Sequence, residues 1–294
     1  MTRPSINLRV AFAANPARFL AVPSHPAAVS RLPSKRSLSQ IPALPLMATA
    51  EPHALPDRLR RLGLHGMART FGGLAKDGAK VAPLAGWLSL LVEDEVAERK
   101  RRRVAARLRT ARLRYEAPMA EVDYKAVRGF DDALFHWLAT GDWIAEHDNL
   151  VIDGPPGTGK TWLACALGEQ ACRDDRSVRY ERVPELLADL AARRGSARYA
   201  RRVEQLRGAD LLILDDWGLE AFSPAERGEL FEVAEARYGR GSTLIASPVP
   251  VEAWRETIGG SPLAAVILDR IVPNAHRLRL AGKSLRSRTR SAAG

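Results

Sequence analysis

The chain has 294 residues, with 45 Lys and Arg against 34 Asp and Glu, and a net charge of +11. Apolar residues make up 46%, too many for an unfolded chain, and no stretch nears the roughly 18 uncharged apolar residues of a membrane span. Two cysteines exclude a disulfide scaffold, and a pI near 10.2 favours an anionic partner, of which nucleic acid is the commonest.

The charge is uneven. Residues 1–46 hold six basic and no acidic residues, while the rest of the chain holds 39 basic and 34 acidic. This leading segment is rich in Pro, Ser and Ala and lacks any helical or strand period, which predicts a disordered extension. Three readings stay open for it: a flexible basic arm on DNA, a segment resembling a transit peptide, or untranslated sequence ahead of a true start at Met47. The last is favoured, because recognisable patterning begins soon after Met47.

Residues 56–75 read as a short helix, with Leu59, Leu62 and Leu64 apolar and Arg58, Arg60 and Arg61 exposed. Residues 83–114 read as a longer helical stretch. It is apolar at Leu84, Trp87, Leu88, Leu90 and Leu91, then acidic at Glu93, Asp94, Glu95 and Glu98. Its end, residues 99–114, has nine basic residues in sixteen. The plain reading is a solvated helix face. At this density the charges repel one another, and phosphate is the natural counter-charge. Arg99, Lys100, Arg101, Arg102, Arg103, Arg107 and Arg109 are therefore candidate DNA contacts within a small basic helical domain over 56–120.

Residues 149–153, NLVID, form a short apolar strand, followed by Gly154, Pro155, Pro156, Gly157, Thr158, Gly159, Lys160, Thr161 and then a strong helix beginning near Trp162. Gly-x4-Gly-Lys-Thr between strand and helix is the phosphate-binding loop. Its backbone N–H groups and the helix N-terminus face phosphate oxygens. Lys160 is expected to reach the β- and γ-phosphates of ATP, and the Thr161 hydroxyl to ligate Mg²⁺. Downstream, ADLLILDD at 209–216 ends an apolar run suited to a strand buried on both faces. Asp215 is expected to serve the metal and Asp216 to polarise the attacking water, with a helix or turn cap as the plain reading of Asp216.

Strand 178–183, helix 184–194, helix 223–239 with Ser223 as cap, strand 242–247, helices at 250–258 and 263–272, and strand 276–282 complete an alternating order. Such alternation predicts a parallel, doubly wound α/β sheet, with nucleotide at the carboxyl ends of its strands. This P-loop domain spans 121–288, and a basic tail follows at 289–294. Ser247 is either a sensor of the attacking water or an ordinary strand-end turn. Arg270 is either an arginine finger acting on a neighbouring subunit or an ion-pair partner of Asp269 or another acid. Arg286 is either a phosphate contact in cis or one more basic tail residue. The adenine pocket is expected near residues 128–147. Cys165 and Cys172 suit buried thiols in a reducing cytoplasm, and the six histidines show no metal-ligand spacing.

In order, the arginine-rich helix, RGFDDAL at 128–134, GDWI at 141–144, the P-loop segment, LLILDDWGLE, GSTLIAS, ILDRIV and GKSLR resemble the IstB-type transposition helper ATPases, AAA+ proteins related to bacterial helicase loaders. The resemblance covers roughly residues 56–288. It implies an AAA+ P-loop core and an ATPase that assembles as an ATP-dependent oligomer on double-stranded target DNA. It further implies that the protein recruits or stimulates the transposase of the same element, in the cytoplasm and without a membrane. By the same resemblance, Asp215 and Asp216 serve Mg²⁺ and water, and Arg270 is the finger. Two positions depart from the family pattern: Pro248, where an amide is usual, and Pro273, where a His or polar residue is usual. Both bear on hydrolysis rather than nucleotide binding. A helicase loader, an ATP-gated DNA-binding scaffold with little hydrolysis, and a small-molecule kinase are the alternatives. The kinase predicts an acceptor pocket and a lid with several arginines, where the chain instead offers a basic N-terminal domain.

Overall fold

The computed structural model describes residues 54–76, 84–122, 131–282 and 284–285. The expectations placed on residues 1–46, on residues 289–294 and on Arg286 fall outside that range. Three helices lead: α1 (Ala54–Arg61), α2 (His65–Lys76) and α3 (Leu84–Ala111). The single helix expected over 56–75 is thus two. The first closes in a turn where Leu64 N donates to Leu59 O at 2.9 Å, which leaves Leu62, expected on the apolar face, 73% exposed.

Helix α2 lies along α3 and is held by the acidic turn of α3. Glu95, only 4% exposed, accepts from Gly66 N at 2.9 Å and from Met67 N at 3.4 Å. These are first-turn N–H groups that α2 cannot pair within itself, so a carboxylate from the next helix caps it. Asp94 accepts from Thr70 at 2.8 Å and from Arg69 at 2.9 Å, and Glu98 accepts from Arg69 at 3.2 Å. Burial pushes the Glu95 carboxyl up, but the bonds from Arg99, Met67 and Gly66 outweigh it and hold its pKa below the ordinary value. The bonds from Arg101 and Arg69 hold Glu98 lower still, at about 2.

Then come α4 (Asp132–Thr140), α5 (Asp142–Ala145), β1 (Asn149–Asp153), α6 (Lys160–Arg173), β2 (Val178–Arg182), α7 (Val183–Arg193) and α8 (Ala197–Arg207). The chain continues through β3 (Leu211–Asp215), α9 (Pro224–Arg237), β4 (Ser242–Ser247), α10 (Trp254–Thr257), α11 (Pro262–Ile271) and β5 (Ala275–Arg279). The five strands form one parallel sheet in the order β2-β3-β4-β1-β5. The parallel, doubly wound α/β core with a P-loop after its first strand, read from the sequence, is the architecture found, with helices ahead of it.

Strand alternation sorts the core into two layers. Leu150, Ile152, Leu211, Ile213 and Leu244 face α6 and the end of α3. Val151, Leu212, Leu214 and Ile245 face the layer built by α7, α8, α9 and α11. Helix α9 starts on a full capping box between Ser223 and Glu226, as its sequence suggested. Helix α8 was not expected: Tyr199, Val203 and Leu206 give it an apolar edge that four arginines conceal. The helix expected at 250–258 is a 3₁₀ turn over Val251–Ala253 leading into the short α10.

Glu95→Ala removes the carboxylate that caps α2 from outside. Hydrogen exchange of α2 amides should speed up by roughly tenfold or more while β1 and β3 amides keep their protection. Glu95 and Glu98 are held below the ordinary 4.5, so their contribution is full above pH 4.5 and is lost as the pH falls toward about 2. Exchange measured across that window should show α2 loosening first.

Candidate active site

The parallel register brings the carboxyl ends of all strands to one edge. Asp153 of β1 pairs with Ser247 of β4 and with Arg279 of β5, while Arg182 of β2 pairs with Asp215 of β3. The loop after β1 opens there, between β4 and β5, at the point where the strand order reverses. Gly154 is forced by its surroundings: a Cβ at this position would lie 2.3 Å from Leu280 O. At Gly157 φ is +81°, and a Cβ would lie 2.1 Å from Ser284 Oγ. Leu285 N donates to Gly157 O at 2.8 Å, so the segment after β5 is laid against the loop.

Lys160 Nζ lies inside the loop and donates to Gly154 O at 2.7 Å and Pro155 O at 2.8 Å. Buried Thr158 donates to Pro155 O at 2.9 Å, which fixes the turn. The Thr161 hydroxyl, in the first turn of α6, donates to Asp215 Oδ1 at 3.1 Å. A hydroxyl beside a carboxylate that is 2% exposed is the hard oxygen set that Mg²⁺ takes. Tyr180 of β2 donates to Asp215 Oδ2 at 2.6 Å. Burial and that bond push the Tyr180 phenol up, so it stays protonated and remains a donor at neutral pH.

Asp216 follows β3 with φ +59°, a left-handed conformation that Asp tolerates better than most residues. Its Oδ2 accepts from Arg182 Nε at 2.8 Å. Arg114 NH1 stands 3.9 Å from Asp215 Oδ2 and 3.9 Å from Asp216 Oδ2. A cleft of about 570 Å³ joins these groups, lined by Tyr115, Trp162, Leu219, Pro248 and Leu285 together with the loop and the two aspartates. Pro155 and Pro156 form the loop's exposed face.

The other candidates separate. Ser247 is fully buried. Its single hydroxyl proton is shared between Trp217 O and Val249 O, each at 2.8 Å, and its oxygen accepts from Val249 N at 3.0 Å. It builds the strand-end turn, and Pro248 after it lines the cleft without an N–H. Arg270 ends α11, whose Ile271 O accepts from Asn149 at the start of β1. It is therefore about 15 Å, one strand length, from its own phosphate loop. Arg270 pairs with Glu235 and Asp269, each at 2.9 Å, over the Tyr238 ring. Burial pushes the Cys165 and Cys172 thiols up, Cys172 to about 11, as suits inert core thiols. Of the stretch expected to hold adenine, residues 131–147 form α4 and α5 over the α6 layer, and 128–130 lie outside the described residues.

On α3, Arg99 pairs with Glu95 at 2.9 Å, Arg101 with Glu98 at 2.8 Å, and Arg102 with Glu98 at 3.0 Å. Arg103 and Arg107 reach Asp175, beyond α6, at 3.8 Å and 2.5 Å. Lys100 and Arg109 are exposed and have no ion pair among the described residues. Part of the counter-charge that the sequence assigned to phosphate is thus internal. A second basic surface went unread: Arg112, Arg179, Arg193, Arg198, Arg201 and Arg202 line a groove of about 670 Å³ beside β2, with Glu181, Glu185 and Asp189 among them. Its signal was the run ARYARR at 197–202, within the helix that was not expected.

Among the described residues, no helix is long and apolar enough to cross a membrane. A family model described as IstB-like ATP binding protein matches residues 57–293. An insertion sequence ATP-binding protein of Sinorhizobium fredii is 54% identical over 239 residues, covering 81% of this chain and 98% of the relative. The insertion sequence IS21 ATP-binding protein of Pseudomonas aeruginosa is 29% identical over 243 residues, covering 82% and 92%. Among solved structures, the crystal structure of DnaI superposes with a TM-score of 0.48 at 21% identity, covering 56% of this chain and 92% of that one.

Proposed function

Because the chain belongs to the IstB-like ATP-binding family, we propose that it is the ATP-dependent DNA-binding helper of an insertion sequence. In this reading it assembles on double-stranded target DNA as an ATP-dependent oligomer and recruits or stimulates the transposase of its element, with ATP hydrolysis as the switch. One observation carries the reading: an exposed arginine helix, α3, packs on β2 and on α6, the helix that begins at the phosphate loop. The cleft alone would fit many nucleotide-binding proteins, and the arginine face alone many nucleic-acid binders.

Lys160 gives up the carbonyls of Gly154 and Pro155 for phosphate oxygens, and the loop N–H groups take the rest. Mg²⁺, held by Thr161 and Asp215, would neutralise charge on the β- and γ-phosphates. Asp216 orients the attacking water and takes its proton. Arg270, too far from its own loop, serves a neighbouring subunit's γ-phosphate once it leaves Glu235. Arg286, next in sequence to Leu285, contacts phosphate in cis. The arginines of α3 are about half exposed, so their outward N–H groups can meet phosphate oxygens while Glu95 and Glu98 stay against α2. The arginine groove beside β2 extends the same surface through Arg112. A scaffold that hydrolyses little is the second reading. It is favoured by Pro248 in the cleft and by the Arg182 bond to Asp216, and a phosphate-release assay separates the two.

Lys160→Ala should abolish the tightening of duplex binding by ATP; identical gains in the variant and the parent would overturn the nucleotide role. Neutralising Arg101, Arg102 and Arg103 together should weaken binding to every duplex and reduce the salt slope by about 2–3. Loss confined to one sequence would show base readout instead. Arg270→Ala should bind ATP yet hydrolyse slowly, and should regain turnover when mixed with Lys160→Ala subunits. A mixture no faster than its parts would remove the finger in trans.

A further inference from the structure

The segment between α3 and the 3₁₀ turn Met119–Glu121 joins the arginine helix to the two carboxylates of the cleft. α3 ends at Ala111, and Arg112 just after it has a φ of +53°, a left-handed conformation costly for Arg. The chain then turns sharply. Leu113 packs on the α6 layer, Arg114 reaches Asp215 and Asp216, and Tyr115 lines the nucleotide cleft. Ala117 N donates to buried Glu169 of α6 at 3.1 Å, which pins the far end. Residues 112–117 thus form a strap with one end on α3 and the other on the helix that begins at the phosphate loop.

Arg114 stands at 3.9 Å from both carboxylates, an ion-pair distance rather than a hydrogen bond. Asp215 is already bonded by Thr161 and Tyr180, and Asp216 by Arg182. The guanidinium is 37% exposed and is also bonded to the Tyr180 hydroxyl, which itself donates to Asp215. The nearest alternative anion is a nucleotide phosphate in the cleft beside Lys160. Movement of Arg114 from carboxylate to phosphate draws the strap, and the strap is continuous with the arginines that face DNA. Arg107 and Arg103, about one and a half and two and a half turns before Arg112, pair with Asp175, while Leu108 and Ala111 pack this end of α3 into the core.

We propose that Arg114 is a positioning residue that couples nucleotide in the cleft to DNA on α3, through the strap of residues 112–117. This rests on the reading of the chain as an ATP-dependent DNA binder. It adds the residue that makes the two bindings depend on each other. Coupling of this kind is reciprocal: nucleotide tightens DNA binding by the same factor as DNA tightens nucleotide binding.

The test uses the full chain, a fluorescent non-hydrolysable ATP analogue with Mg²⁺, and a labelled duplex. Four dissociation constants are measured: nucleotide with and without duplex, and duplex with and without nucleotide. The parent should show a coupling factor of about 5-fold or more, equal from both directions. Arg114→Gln should bring it to about one while the duplex affinity without nucleotide changes by less than about twofold. Arg114→Lys, which keeps the charge without the fork, should keep part of it. An unchanged thermal midpoint in both variants excludes misfolding as the cause. Full coupling in Arg114→Gln overturns the proposal. So does weaker nucleotide binding with coupling intact, which makes Arg114 a plain phosphate contact. A parent that binds both ligands without coupling overturns it too, together with the ATP-dependence it rests on. A parent that binds no duplex removes the DNA-binding reading first.

Discussion

The join between β1 and β5 governs the site. Leu280 N donates to Asp153 O at 2.7 Å, and Leu280 O comes so near Gly154 that no side chain fits there. The phosphate loop therefore leaves β1 pressed against the chain that leaves β5. A few residues on, Leu285 repeats the contact at Gly157. One wall of the cleft is thus built from residues more than 120 positions away in sequence. Strand order β2-β3-β4-β1-β5 supplies the opposite wall, since β4 next to β1 spaces Asp215 across the loop from Leu285. A change that slips β5 along β1 would deform the loop without touching any of its own residues.

Around this join, charge is balanced locally. Asp215 and Asp216 are met by Arg114 and Arg182, and Asp153 by Arg279 at 3.3 Å. The acids of α3 meet its own arginines one turn later. These pairs join partly exposed arginines to carboxylates that are largely buried, so they leave little buried charge unpaired. They also keep a strongly basic chain from repelling itself. The core carries the fold instead. Two apolar layers enclose a sheet whose β1 and β3 are buried on every residue.

Much of this was legible from local pattern. Four apolar residues before Asp215 read directly as a strand covered on both faces, and Gly-x4-Gly-Lys-Thr after NLVID read as a phosphate loop. The capping box at Ser223 needs only residues three apart. What escaped depends on distant partners or on masking. Helix α8 hid its apolar edge under arginines. The break at Leu62 turns on a backbone bond to Leu59 that period counting does not register. Glu95 reads as one more acid until α2 is laid against it. Tyr180 and Arg114 belong to no motif, and only the register of β2 on β3 and the turn after α3 bring them to Asp215. Ser247 had two readings, a sensor of the attacking water and a strand-end turn, and its hydroxyl is taken up by the turn. Arg270 was readable as a finger for a neighbour or as an ion-pair partner, and within this chain it pairs with Glu235 and Asp269.

Helix α3 has 28 residues without a break. At 1.5 Å per residue it is a rod of about 42 Å, longer than the sheet is deep. Its root is the left-handed turn at Arg112, beside the cleft, and its other end carries α2. A tilt of about 5° at the root would carry the tip nearly 4 Å, so the rod works as a lever arm with a gain set by its length. A short helix of the same composition would carry the same charge and transmit none of that motion.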